Sequence, residues 1–597
     1  MPAIPEFLLR KLYVNDSLKS FEGGFTFELN NTFAPVTLTG LGLNVDGQPY
    51  SPGQIYLSLP NLGEIPAGGI SSESPFSLPM NVSLVVRVFG ETPRRRLVIR
   101  ADTVEAGVLQ FGVGIEIDEP EPVKKQPGFF SKTRRRFAYA SQVFKVQQDP
   151  QHPSFHFAPI SNWMNDPNGL IYWKGNYHVF FQYNPAAPTW GNIHWGHATS
   201  KDLLHWKHQP IALSPDPQGA DAGGCYSGCA VDHDGTATLL YTAVFPETQC
   251  LATSVNPDLL EWKKHPQPVI PAPPEGMQIE GFRDPCVWQE SNEWRMVLGS
   301  GLTDAGGAVL LYRSKDLLDW QYMGVLYHGN LKSVDPLWTG TMWECPSFFP
   351  LGDKWVLILS VYSPKGPLYV IYYTGDYKVD RFEPDGPPRL LDFGAGACFY
   401  APQTFVERKG KRIMFGWLRE SRGVEEQTNA GWSGALSLPR FLSLSVKGDL
   451  CCTLPEGMQA LRRDHEELTA PNQLSTTVRG NCMELIIRIP PDSEKWSGVH
   501  LTCGSTPQDS VLIGYDSING AVVVDCRNAG GMINVLPIDI PSMQDLTLHA
   551  FVDGSIIETF IEGKSPISAR FYMEKPQAMR VRRVGEARVD LWKIRLQ

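Results

Sequence analysis

The sequence predicts an all-β chain in three parts. These are an N-terminal β-rich domain over residues 1–120, a five-bladed β-propeller over 150–455 and a β-sandwich over 463–597, with a linker over 121–149. Three observations carry this reading. Gly (55) and Pro (49) are plentiful and separate many short runs rich in Val, Ile, Tyr and Phe, the pattern of strands and turns. A chain of 597 residues exceeds the roughly 250–300 that one core can fill, so several domains are needed. A motif also recurs. Asp202-Leu203-Leu204-His205-Trp206 returns as Asp258-Leu259-Leu260-Glu261-Trp262 and as Asp316-Leu317-Leu318-Asp319-Trp320, at spacings of 56 and 58 residues. Four-stranded propeller blades repeat at about this period, and roughly 300 residues hold about five of them.

The elements follow in order. Over residues 1–120, runs such as Phe25-Thr26-Phe27-Glu28-Leu29 and Val82 to Val88 alternate apolar and polar side chains, which is strand periodicity. Glu119 to Pro127 is dense in proline and charge, as a domain boundary is. All 16 tryptophans lie beyond it, from Trp163 onward. After residue 463, Met483–Ile489 and Ala521–Asp525 read as strands, and Leu546 to Phe560 reads as a hairpin turning at Asp553-Gly554.

Charge and composition narrow the function. The net charge is −10, and the two basic knots, Arg94-Arg95-Arg96 and Lys132 to Arg136, are short, so no nucleic-acid partner is expected. No apolar run reaches about 18 residues, which argues against a membrane partner. Arg10 and Lys11 interrupt the only N-terminal apolar stretch, so no signal peptide is evident and a soluble, cytoplasmic protein is expected ahead of a secreted one. The 11 cysteines show no metal-type spacing; they read as buried thiols, and no metal or cofactor is expected.

Three acidic residues stand in unusual surroundings. Asp166 lies in Trp163-Met164-Asn165-Asp166-Pro167-Asn168-Gly169, where Asp-Pro and Asn-Gly signal a turn that would hold it at a strand end. Asp284 follows Arg283, a cation that would keep it ionised. Glu344 lies in Trp343-Glu344-Cys345-Pro346 before Phe348-Phe349, an apolar setting that would raise its pKa and suit a general acid. Glycoside hydrolysis needs such a division of labour, one carboxylate at the sugar carbon and another protonating the leaving oxygen. Successive blades would bring these distant acids together around the central funnel.

The flanking sequences resemble glycoside hydrolase family 32, the invertase, inulinase and levanase family. The resemblance rests on the three motifs above and on Phe181-Gln182-Tyr183-Asn184-Pro185, Trp190-Gly191-Asn192-Ile193-His194-Trp195-Gly196-His197-Ala198, Phe399-Tyr400-Ala401-Pro402-Gln403, Gly431-Trp432-Ser433-Gly434, Leu438-Pro439-Arg440 and Phe551-Val552-Asp553-Gly554-Ser555 with Glu558. It covers roughly residues 150–597 and implies a five-bladed propeller followed by a sandwich. It implies a retaining β-fructosidase acting on sucrose or fructans such as inulin and levan. Asp166 would be the nucleophile, Glu344 the acid and then base, and Asp284 the stabiliser of the transition state. Asn165, Gln182, Trp190, Ser227 and Arg283 would line the fructose pocket. Retention would set the Asp166 and Glu344 carboxyl groups about 5–5.5 Å apart.

The chain departs from the family pattern at Cys229, at Ser347 and in Ser363-Pro364-Lys365-Gly366-Pro367, which has a Lys but no Asp. The last two weaken a plant-type, sucrose-only reading. Residues 1–120 lie outside the resemblance. Lacking Trp, they suggest packing or homo-oligomerisation more than sugar binding. Three other readings compete: a fructosyltransferase on the same scaffold, an arabinan-cleaving propeller, and a non-catalytic fructan-binding protein, against which the intact acid trio argues.

Overall fold

A computed structural model describes residues 12–114, apart from 15–16, 22–23, 32–35, 47, 52–53, 60–61, 72–74, 79–81, 90–92, 94–95 and 105–106. It also describes residues 143–596, apart from 494, 504–508 and 539–543. Most of the expected linker and of both basic knots therefore lies outside the described residues. The chain divides into two compact units, Met1–Lys132 and Thr133–Gln597.

The first unit is built of two sheets. One orders its strands as Lys19–Phe21, Gly24–Asn31, Val82–Phe89, Ile55–Leu59 and Leu62–Pro66. The other runs Gly107–Gly114, Arg96–Thr103, Val36–Val45 and Gln48–Tyr50, with Phe76–Leu78 pairing Val36–Val45. Its core takes alternate residues, Phe25 and Phe27 from one strand, Leu41 and Leu43 from another, as the two-residue period of a strand requires.

The second unit begins with five antiparallel sheets of the propeller. Their first strands are Asn162–Trp173, Cys225–His233, Ile279–Glu290, Met342–Leu351 and Phe399–Val406. In blades I to IV the strands follow in chain order; in blade V the third is Arg440–Leu444 and the fourth Leu450–Thr453. Each first strand packs against the first strand of the next blade, and the fifth returns to the first, so the ring closes. A late segment seals it: Trp432–Ser433 pairs in parallel with Asn162 and Trp163 of blade I.

The propeller's cores lie between blades. Central strands are covered on both faces, so they read as continuous apolar runs. Neighbouring residues then serve opposite interfaces. Leu239 packs toward blade I with Phe180 and Trp195, and Leu240 toward blade III with Met296 and Leu298. Leu357 and Leu359 face blade III with Val297 and Val309, and Ile358 faces blade V with Met414 and Leu418. The recurring Asp-Leu-Leu motif forms the turn into the fourth strand of blades I, II and III. Leu203, Leu259 and Leu317 adopt positive φ of 69°, 57° and 67°, and their carbonyls accept the indole N–H of Trp206, Trp262 and Trp320.

The sandwich pairs a six-stranded sheet, from Arg462–Leu468 to Ile567–Arg570, with a five-stranded one containing Ser497–Thr502 and Ala521–Asp525. The hairpin Leu546–Asp553 and Ile556–Ile561 turns at Gly554, whose φ is 62°. A buried ionic network joins sandwich to propeller. The Arg440 guanidinium donates to Glu558 Oε1 at 2.5 Å and lies 2.9 Å from Asp392 Oδ2. His156 bridges Asp553 and Glu558 at 2.9 and 3.0 Å.

Candidate functional site

All five first strands carry a β-bulge at the same level of the ring. The register shifts fall at 165–166, 226–227, 284–285, 345–346 and 401–402. The sequence explains why. Asp166-Pro167, Asp284-Pro285, Cys345-Pro346 and Ala401-Pro402 each put a residue without an N–H into a first strand, which pairs there on one side only and takes up the missing donor with a bulge. Blade II carries Gly228 instead, and a Cβ there would stand 2.0 Å from the Leu240 carbonyl oxygen. Asp166 therefore lies within the strand Asn162–Trp173, where the sequence suggested a turn and a strand end. The bulge turns its carboxyl toward the axis.

The bulges bring four side chains into one contact chain. Asp166 Oδ2 accepts the Ser227 hydroxyl at 2.5 Å, the Gln182 amide at 3.3 Å and the Cys345 thiol at 3.4 Å. The same thiol reaches Asp284 Oδ2 at 3.5 Å, and the Cys345 backbone N–H donates to that oxygen at 2.9 Å. Among the described residues Asp166 Oδ1 accepts only from Asn165, at 3.1 Å. Asn165 is oriented by the Trp163 indole at 2.7 Å and by Gln182 at 2.8 Å.

The residues just before these form a second level. Glu344 Oε1 accepts from Arg283 at 2.8 and 3.2 Å, and Oε2 accepts the Tyr400 hydroxyl at 2.7 Å. Arg283 also donates to Glu247 at 2.8 Å. Glu344 is thus ion-paired and its side chain 17% exposed, where an apolar enclosure was expected. Arg283 serves Glu344 and Glu247 and makes no ion pair with Asp284.

Electrostatics separate the two levels. Burial pushes Asp166 up to about 6, with Glu344 adding to the rise and the Ser227 hydrogen bond opposing it. Burial also pushes Asp284 up to about 7; Arg283 pulls it down, but Glu344 and Asp166 push with the burial. Arg283 does pull Asp284 toward its ionised form, as the sequence suggested, but desolvation outweighs the cation and the net shift is upward. Burial and the Glu344 charge hold the Tyr400 phenol well above its usual range, so it remains a donor.

The structure thus groups Asp166, Asp284, Glu344, Asn165, Gln182, Ser227 and Arg283 at the ring's centre. Trp190 is 55% exposed and meets Tyr226 edge-on at 6.0 Å, without a hydrogen bond to the acids. Sequence reasoning gave no role to Tyr400, Cys345 and Glu247. Tyr400 and Cys345 lie inside quoted motifs, and the X-Pro step shared by four first strands was the signal that could have found Cys345. Glu247 sits in a hairpin loop and has no such signal. Among the described residues no group of three or more His, Cys, Asp or Glu could hold a metal ion, and no helix is long and apolar enough to cross a membrane.

Comparison with known proteins places this geometry. Residues 156–453 match the glycosyl hydrolases family 32 N-terminal domain and 456–593 its C-terminal domain. Residues 8–116 match the hydroxymethylglutaryl-CoA reductase N-terminal domain. The chain is 35% identical over 459 residues to sucrose-6-phosphate hydrolase of Zymomonas mobilis, covering 71% of this chain and 87% of that protein. It is 34% identical over 454 residues to raffinose invertase of Escherichia coli, covering 72% and 90%. The structure superposes on the Bombyx mori family 32 β-fructofuranosidase with TM-score 0.66 at 29% identity, covering 78% of this chain and 98% of that one. Fructan 1-exohydrolase IIa of Cichorium intybus gives TM-score 0.65 at 26% identity, covering 75% and 98%. The chain belongs to glycoside hydrolase family 32.

Proposed function

We propose that this β-fructofuranosidase-type glycoside hydrolase removes terminal β-fructofuranosyl residues with retention, through a covalent fructosyl-enzyme. The observation that carries the reading is the convergence of Asp166, Asp284 and Glu344 from three blades on one axis, with the two aspartates buried below an ion-paired glutamate. Asp166 is the nucleophile. Its Oδ2 is saturated by three donors, so Oδ1, held by Asn165 alone, attacks the anomeric carbon. Glu344 gives its proton to the leaving glycosidic oxygen and then takes one from the incoming water. Arg283 and Tyr400 hold its carboxyl in place. Asp284 binds fructose hydroxyls. Gln182 and Ser227 orient Asp166, and Trp190 offers an apolar wall at the mouth.

The substrate is sucrose or a fructan; the relatives named above add a phosphorylated sucrose to the set worth testing. Fructosyl transfer to a sugar is the second reading, since both reactions share the three acids. Residues 1–120 form a separate module that we propose mediates self-association; their deletion should lower the oligomeric mass. The deciding experiment follows products over time from sucrose, sucrose 6-phosphate, inulin and levan. Early β-fructose by NMR supports retaining hydrolysis. Early α-fructose refutes retention, growing oligosaccharides favour transfer, and no turnover refutes the assignment.

A further inference from the structure

The hairpin tips of blades I and II stand at the mouth of the ring. In blade II, Ala243 pairs with both Cys225 and Thr248, so the loop 244–247 caps the end of the blade where the first strand begins, just above the bulge. Trp190 occupies the matching tip of blade I, between Asn176–Asn184 and His194–Ser200. Each of these tips carries one exposed aromatic residue, Trp190 and Phe245, the latter 64% exposed. The tips of blades III and IV, Thr303-Asp304-Ala305 and Pro364-Lys365, carry none.

Phe245 is held there against its own preference. Its φ is 66°, a left-handed conformation in which a bulky residue is an outlier. Such strain persists where the surroundings over-determine it, and it clusters at ligand-binding sites. Two contacts fix the loop. The Phe245 ring lies against Gly223, where a Cβ would stand 2.6 Å from Phe245 Cδ2. Two residues on, Glu247 accepts Arg283 at 2.8 Å on Oε1 and the Phe282 backbone N–H on Oε2. The fold recovers little for the strain, because Phe245 stays mostly in solvent.

The same loop reaches the acid. Arg283 donates to Glu247 through Nη1 and to Glu344 through Nη2, so both carboxylates lie within the span of one guanidinium group. A carboxylate has about four acceptor positions. Glu247 uses one on each oxygen and its side chain is 25% exposed, so it keeps capacity for further donors.

We propose that residues 244–247 form the leaving-group subsite, with Phe245 stacking on the ring of a sugar leaving group and Glu247 accepting its hydroxyls. A glycosidic oxygen at Glu344 directs the rest of the leaving group outward, past Glu247. An aromatic face beside a carboxylate matches a sugar, which presents C–H groups on its face and hydroxyls at its edge. The inference rests on the fructosidase reading.

The test uses the full chain and two fructosides. Sucrose leaves a sugar; methyl β-D-fructofuranoside leaves methanol, which is too small to use the loop. Values of kcat/KM for both are measured on the wild type, F245A, F245Y and E247Q, with tryptophan fluorescence confirming that each is folded. The sucrose-to-methyl ratio should fall at least about fivefold in F245A, through the lost stacking contact, and F245Y should recover most of it. E247Q should lower the ratio too, on top of a loss common to both substrates from the loosened Arg283; an unmoved ratio there overturns the part given to Glu247. A ratio unmoved in F245A, even where both rates fall together, overturns the subsite and leaves the fructosidase reading intact. A wild type that cleaves neither fructoside overturns that reading, and the subsite with it.

Discussion

Replacing Asp166 by Asn should stabilise the fold while it removes activity. The carboxyl sits at about 6 in the folded protein against an ordinary 3.8. At 1.36 kcal/mol per pH unit, keeping it ionised in this setting costs the folded state about 3 kcal/mol at neutral pH. An asparagine carries no charge, and with its oxygen turned to Ser227, Gln182 and Cys345 it keeps the three donors of Oδ2. Its amide then faces the Asn165 amide, now 3.1 Å from Oδ1, and that donor-to-donor contact returns about 1 kcal/mol. The net gain is about 2 kcal/mol. The sign with pH follows from the raised value. The folded wild type binds an extra proton between about pH 4 and 6, so its stability falls as pH rises through that window. The gain of D166N should therefore be full above about pH 6 and absent below about pH 4.

Unfolding followed by tryptophan fluorescence reports this directly, because all 16 tryptophans lie beyond residue 150. Hydrolysis should fall by at least about three orders of magnitude in the same protein. A variant no more stable than wild type at pH 8, or one whose gain is the same at pH 4, would refute the claim that Asp166 is ionised under strain.

Two more predictions follow from single contacts. Ser227→Ala removes the hydrogen bond that opposes the rise at Asp166, so the acid limb of kcat/KM should move to higher pH, by about one unit for a bond to a charged group; a uniform loss with an unmoved limb would show that Ser227 acts otherwise. Arg440→Met leaves Glu558 and Asp392 buried without their shared cation and should lower stability by about 3–5 kcal/mol, partly recovered in the double variant R440M/E558Q; thermal midpoints of the two variants against wild type decide it.

The three acids, the blade period and the sandwich strands were legible because each leaves a local trace: a motif, a repeat, an alternation. Two errors have a physical origin. Asp166-Pro167 reads as a turn because proline removes a ladder donor, yet a bulge in a strand paired on one side is the other solution, and it is visible only once four first strands are seen to share the X-Pro step. Arg283 was assigned to Asp284 because they are adjacent. Asp284 stands at the bulge and Arg283 one residue before it, so the guanidinium takes its ion-pair partners, Glu344 and Glu247, one level away while its charge still acts on Asp284. Glu247 is brought to Arg283 by tertiary contacts alone and leaves no pattern in the chain.

That two-level arrangement bears on the proposed division of labour. The lower level, Asp166, Ser227, Asp284 and Cys345, is buried and contains no cation, so its acids are driven up by desolvation and held by neutral donors. The upper level, Asn165, Tyr226, Arg283, Glu344 and Tyr400, contains the one guanidinium, and its carboxylate is paired and partly exposed. A furanosyl ring pushed to the bottom would meet Asp166 in a water-poor setting, where a carboxylate is a stronger nucleophile and a sugar cation is better stabilised. Its glycosidic oxygen would lie one level higher, at Glu344, where the leaving group and the incoming water have access. A one-residue offset on bulged strands is enough to give chemically similar acids these different surroundings, and D166N and S227A probe the lower level without disturbing the Arg283–Glu344 pair above it.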